Sequence, residues 1–157
     1  MSATRRVPSS DSLEARLIAT VAPVLRHLVA QARRHPGWKS GLTYQQYNVL
    51  RIIDNEGPSP PAAVARRLLV TAPVVTRLAA ALVEQGLLER SPDLKDRRAV
   101  RLALTPAGRR RARAMRRDLL IAARELLEPV PQERRAALAA ALDELQVLLP
   151  GHSAPRR

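Results

Sequence analysis

The stretch from Thr43 to Gly86 has the least conformational freedom in this sequence, because start and stop signals recur in it too closely for anything but short helices. "LTYQQYNVLRIIDNEGP" opens with Thr43 and has Gln46 three residues on, so that each side chain can cap the other's backbone donor. Tyr47, Leu50 and Ile53 then fall on one side, and Gly57-Pro58 stops the segment. In "SPPAAVARRLL" the expected cap is Ser59 and the expected first helical residue Pro60, with Val64 and Leu68 facing inward. "TAPVVTRLAAALVEQG" starts at Thr71 and tolerates Pro73 in its first turn. It buries Val75, Leu78, Ala79 and Leu82 and ends at Gly86. Short helices joined by such short links predict a helix-turn-helix core.

A change of period follows. "GLLERS" and "AVRLALT" each fit a short strand, with Val100, Leu102 and Leu104 on one face, and the Pro-Asp-rich link between them is too long for a two-residue turn. A hairpin directly after the third helix of such a core is a wing.

Longer helical patterns flank this unit. Before it, Leu13, Leu17, Val21, Val24 and Leu28 recur at helical spacing, Asp11 with Glu14 resembles a capping box, and "HPG" at 35–37 ends the segment. Pro23 inside it should kink the helix. After the wing, Thr105-Pro106 caps a helix with Met115, Leu119, Ala122 and Leu126 on one face. Pro129 and Pro131 break it, and a last helix carries Leu138, Leu142, Leu145 and Leu149. One copy offers too few partners for all these apolar faces, and twofold pairing with a second copy would cover them. The expected fold is therefore mainly α with a small β-hairpin wing. A winged helix-turn-helix core at 41–108 is flanked by long N- and C-terminal dimerisation helices at 11–40 and 109–150, with loose tails at 1–10 and 151–157.

Composition limits what such a unit can do. At 157 residues the chain is expected to form one structural unit, burying roughly 70% of its unfolded surface. Its apolar residues are mostly Ala, Leu and Val, which favours small-residue helix packing. A net charge of +13 makes nucleic acid the first partner to consider, because such a field attracts polyanions. The alternative that charge alone leaves open is a sequence-nonspecific basic or architectural protein. The absence of cysteine removes disulfides and thiolate chemistry and makes the cytoplasm the default compartment. No apolar run is long enough to span a membrane. His27, His35 and His152 lack metal-ligand spacing, and no nucleophile motif or phosphate loop appears. Neither an enzyme nor a cofactor is expected.

Taken together, "LTYQQYNVLRII", "AAVARRLLVTAPVVTRLAAALVEQGLLER" and above all "DLKDRRAVRLALTPAG" resemble the MarR family of winged-helix transcriptional regulators, closely from Gly41 to Gly108 and by pattern alone in the flanking helices. The resemblance implies a homodimer joined by its terminal helices. It also implies a repressor that binds a pseudo-palindromic operator in double-stranded DNA and releases it when a small-molecule effector binds. It further implies that the helix at 71–85 enters the major groove. With Val75, Leu78 and Leu82 inward, the side chains left for DNA are Pro73, Val74, Thr76 and Arg77. Arg77 suits a bidentate contact to guanine, Val74 a thymine methyl, and Thr76 a phosphate or base. In the wing the resemblance assigns projection toward the minor groove to Arg97, with Asp96 and Arg98 in support. Lys95 and Arg98 join the DNA contacts, and Asp93 is a turn former. Arg109, at the head of the basic run after the wing, is within reach of phosphate. His27, Trp38, Tyr44 and Tyr47 hold nearly all the aromatic material, near where this family often has an effector crevice, and would suit a small aromatic ligand.

Overall fold

A computed structural model describes residues 11–36, 38, 41–92 and 100–149. The element order is α1 (Leu13–Arg34), α2 (Tyr44–Glu56), α3 (Pro61–Leu68), α4 (Ala72–Glu84), β1 (Leu88–Pro92), β2 (Val100–Leu104), α5 (Pro106–Leu127) and α6 (Gln132–Val147). The wing residues Asp93, Lys95, Asp96, Arg97 and Arg98, and both tails, lie outside the described residues.

The short helices start and stop where local chemistry requires. Thr43 Oγ1 accepts from the Gln46 backbone N–H at 3.2 Å while Gln46 Oε1 accepts from the Thr43 N–H at 2.9 Å, the reciprocal cap of α2. α4 ends at Glu84 and the chain turns away at Gly86, whose φ of 66° lies in the left-handed region where a Cβ would be strained. Between them α3 differs from expectation. Its cap is Pro60 and its first residue Pro61, because Ser59 is taken by the sheet. Ser59 exchanges backbone hydrogen bonds with Leu102 of β2 at 3.0 and 2.9 Å, and its hydroxyl donates to the Gly57 carbonyl at 2.9 Å. The bridge pins the α2–α3 link to the hairpin. Thr71 precedes α4 without making a side-chain cap bond.

β1 and β2 pair antiparallel, with Leu88 opposite Leu104, Arg90 opposite Leu102 and Pro92 opposite Val100. Leu102 and Leu104 face the core, as the alternation requires. Val100 shares their face by alternation but is 43% exposed. One apolar cluster joins α2, α3, α4, both strands and the first half of α5 through Tyr47, Leu50, Val64, Val75, Leu82, Leu102 and Met115. Val49 and Ile52 are buried alongside the expected Tyr47, Leu50 and Ile53, so α2 is enclosed on more than one side. Burial raises the Tyr47 phenol pKa, against the opposing pull of Arg51 and Arg116, and keeps the ring neutral.

The flanking helices differ from expectation at the start of α1. The cap of α1 is Ser12, whose side chain accepts from the Ala15 N–H at 3.2 Å, rather than Asp11. α1 runs unbroken from Leu13 to Arg34 with Pro23 inside it. The part of α1 covered within the chain is Leu25, Leu28, Val29 and Ala32, which packs on α5, whereas Leu13, Leu17, Val21 and Val24 are exposed. α5 buries Met115 and Ala122 as expected, but its distal Leu126 is exposed. α6 buries none of its residues, and Leu138, Leu142, Leu145 and Leu149 all face outward. On α1 and α5 the exposed apolar residues continue in sequence from covered ones, whereas α6 has no buried residue at all.

Candidate nucleic-acid interface

α4 is held by its inward face. Val75, Ala79 and Leu82 are fully buried against α2 and α3, and this fixes which residues of the first turns look outward. Pro73, Val74, Thr76 and Arg77 are all exposed, so the structure brings these four sequence candidates together on one surface. The Thr76 hydroxyl donates to the Ala72 carbonyl at 3.0 Å. Its hydrogen is engaged, and its lone pairs suit it to accept from a base amino group; a phosphate bond would require breaking the link to Ala72.

Arg109 is exposed, and its Nη1 pairs with Asp54 Oδ1 at 3.1 Å, fastening α5 to α2. The partly exposed pair contributes little stability but restricts the arginine's reach, and the remaining guanidinium donors stay available. Arg110, Arg113, Arg116 and Arg117 are likewise exposed along α5.

A tight joint holds the hairpin to α5. The Thr105 hydroxyl donates to the Gly86 carbonyl at 2.7 Å and accepts from the Gly108 N–H at 3.0 Å, while the Thr105 N–H donates to the Leu87 carbonyl at 3.2 Å. One threonine therefore caps α5 and ties it to the end of α4, so the recognition-candidate helix α4, the strands and the long helix share one junction.

The aromatic candidates separate. Trp38, Tyr44 and Tyr47 meet on the core, and the two tyrosine rings lie 6.1 Å apart at 44°, a tilted pair. His27 is exposed on α1 and is not part of that cluster. A cavity of about 200 Å³ lies elsewhere, between the end of α1 and the middle of α5, with Gln31, Ala32, His35, Asp118, Ile121 and Glu125 in its wall and none of the four aromatic candidates.

Asp118 escaped the sequence reading. It is 1% exposed, and among the described residues neither carboxylate oxygen accepts a hydrogen bond; Arg117 Nε is 3.5 Å from Oδ1, without hydrogen-bond geometry. The only signal for it was an acidic residue following directly on Met115–Arg117, one turn before Ala122, on the face that packs against α1. A buried carboxylate that accepts no hydrogen bond and meets Arg117 only at 3.5 Å is costly. Asp118→Ala is expected to raise the unfolding free energy by about 1–3 kcal/mol, read from urea denaturation. A loss of stability instead would mean that the Arg117 pair, or a cation from a second copy or a ligand, stabilises this carboxylate in the working protein.

Among the described residues no group of His, Asp or Glu is placed to hold a metal ion, and no helix is long and apolar enough to cross a membrane.

Comparison with known proteins places this geometry in context. The family model described as "MarR family" matches residues 40–99, the stretch that holds α2, α3, α4 and β1. An uncharacterised HTH-type transcriptional regulator of Mycobacterium bovis is 30% identical over 137 residues, covering 87% of this chain and 94% of the relative. A second, from Mycobacterium leprae, is 32% identical over 105 residues, covering 66% of this chain and 72% of its own length. Among solved structures, RV1404 from Mycobacterium tuberculosis superposes with a TM-score of 0.79 at 23% identity, covering 96% of this chain and all of that one. A mutant MarR from E. coli gives 0.76 at 22% identity, covering 88% and 98%. At these identities the structural likeness establishes the fold, a mostly helical winged helix with its two-stranded hairpin.

Proposed function

This chain belongs to the MarR family of HTH-type transcriptional regulators, DNA-binding proteins rather than enzymes, and on that premise we propose that it is a homodimeric, sequence-specific repressor whose two α4 helices enter successive major grooves of a pseudo-palindromic operator. The observation that carries this reading is the outward surface of α4, where Pro73, Val74, Thr76 and Arg77 project from a helix anchored by Val75, Ala79 and Leu82. A twofold operator matches two such surfaces about 34 Å apart. Phosphates on either side are met by the basic surface, including Arg109 and the wing residues Lys95, Arg97 and Arg98, with Asp93 and Asp96 shaping the wing.

Arg77 is the base reader in this scheme. Arg77→Ala is expected to cost about 1–3 kcal/mol in operator binding and to relax the preference at one symmetric pair of positions, since a bidentate contact to guanine is lost. Selection of duplexes from a random pool by the wild-type and variant proteins checks it. An identical consensus from both would remove Arg77 from readout. If the wild type selects no consensus and random DNA displaces every duplex equally, a charge-driven, nonspecific binder replaces this reading.

Release by a small aromatic ligand is part of the proposal. Trp38 and Tyr44, partly buried against the core that holds Tyr47, offer aromatic surface to such a ligand, with the exposed His27 on the preceding helix. Such a ligand acts only through its differential affinity for the DNA-competent and incompetent dimers. Titration with simple aromatic acids, followed by Trp38 fluorescence and by operator binding, tests it. DNA release that persists in Trp38→Ala places the effector elsewhere.

A further inference from the structure

The run Leu69-Val70-Thr71-Ala72-Pro73-Val74 is exposed at every position, and no charged side chain occurs between Arg67 and Arg77. In a chain of net charge +13 this is an uncharged, largely apolar tip bracketed by cations, with the exposed Arg66 on one side and the exposed Arg77 on the other. It forms the turn between α3 and α4 together with the first turn of α4.

Leu69 is the least expected residue in it. The turn closes through Val70 N–H on the Ala65 carbonyl at 3.1 Å, with Leu69 at φ 54° and ψ 40°, a left-handed C-terminal position that glycine or asparagine occupies without strain. Leu69 is 77% exposed, so its side chain gains nothing from the core in return for that strain.

We infer that Leu69, Val70 and Val74 form a specificity-determining apolar tip that reads thymine C5-methyl groups in the major groove. The inference rests on the proposed entry of α4 into DNA and adds to it the class of base the tip selects. The charge pattern supports this occupant: Arg66 and Arg77 suit the polyanionic rim, and the uncharged tip between them has no favourable partner among phosphates or base amino groups. The apolar feature that the major-groove floor offers is the thymine methyl, which distinguishes A·T from G·C and gives the pair its direction. The operator should therefore carry thymines under the tip in each half-site, next to the base read by Arg77.

Replacing thymidine by deoxyuridine removes only the methyl group and leaves every hydrogen-bonding atom in place. The test starts from duplexes selected out of a random pool by the full-length protein, with deoxyuridine then substituted one position at a time. At one or more symmetric pairs of positions, deoxyuridine is expected to weaken binding about fourfold per half-site, the factor given by about 0.8 kcal/mol for one buried methyl-sized group. In Val74→Ala and Leu69→Gly the ratio of thymidine to deoxyuridine affinity at those positions should fall toward one. Leu69→Gly relieves the left-handed strain, so its thermal midpoint should be no lower than that of the wild type, which separates lost reading from lost folding. A wild-type protein indifferent to deoxyuridine at every position overturns the inference while leaving sequence-specific binding intact. Methyl discrimination that survives in both variants overturns it as well. The absence of any selected consensus would bring down the proposed function, and this inference with it.

Discussion

Gly108→Ala is expected to destabilise the protein by about 3 kcal/mol or more and to abolish operator binding with it. A Cβ on Gly108 would lie 1.9 Å from the Leu87 carbonyl oxygen and 2.9 Å from its carbon, and both are backbone atoms with no rotamer to escape into. Relief requires α5 to lift away from the end of α4, which breaks the Thr105 N–H to Leu87 carbonyl bond and strains the Thr105 hydroxyl's bond to Gly86. The sign is what makes the experiment decisive. Where there is room, alanine is the better helix former by about 1 kcal/mol, so a helix without this close approach would gain stability from the same change. Urea denaturation of the variant measures it, and a midpoint equal to or above that of the wild type would disprove the close packing of α5 on Leu87.

The double substitution Leu142→Asp with Leu145→Asp is expected to produce a folded monomer whose operator affinity is lower by about 10²–10⁴-fold. α6 buries none of its residues, so the winged core does not depend on it, yet Leu138, Leu142 and Leu145 follow one helical stripe, Leu149 follows just beyond the helix, and all are exposed. The uncovered stretch Leu13, Leu17 and Val21 of α1 adds to the apolar surface that one copy leaves in water. Two carboxylates in that stripe carry an interface cost that no neighbour in the chain offsets. A monomer still has one α4 surface, but it loses the gain from engaging two half-sites at once, which is the source of the stated factor. Sedimentation mass and anisotropy with the selected duplex read the two consequences separately. A variant that remains dimeric, or a monomer that binds as tightly as the wild type, would refute the role given to α6.

Several elements of this protein were legible because their determinants sit within one helical turn. Thr43 and Gln46 cap α2 through atoms three residues apart, Gly86 supplies the positive φ that ends α4, and Thr105 caps α5 by accepting from Gly108. The alternation of Leu102 and Leu104 put β2 on the core by its period alone. The outward set on α4 followed by subtraction once Val75, Ala79 and Leu82 were assigned inward, so Pro73, Val74, Thr76 and Arg77 were readable as a surface; their roles on DNA remain proposals.

What only the tertiary structure decided depends on which distant segment arrives. Ser59 has the chemistry of a helix cap, but a strand more than forty residues away claims its backbone, because two ladder hydrogen bonds with Leu102 outweigh one side-chain cap. Gly108 looks permissive in sequence, and only the approach of Leu87 makes it obligatory. α1 offers apolar residues around much of its circumference, and α5 covers Leu25, Leu28 and Ala32 while leaving Leu13, Leu17 and Val21 exposed. Asp118 reads as an ordinary surface carboxylate until α1 closes over it. Local hydrogen bonds and periodicity are written in neighbouring residues and so belong to the sequence; burial, close approach and the choice between two satisfiable partners are set by chain segments that meet only after folding.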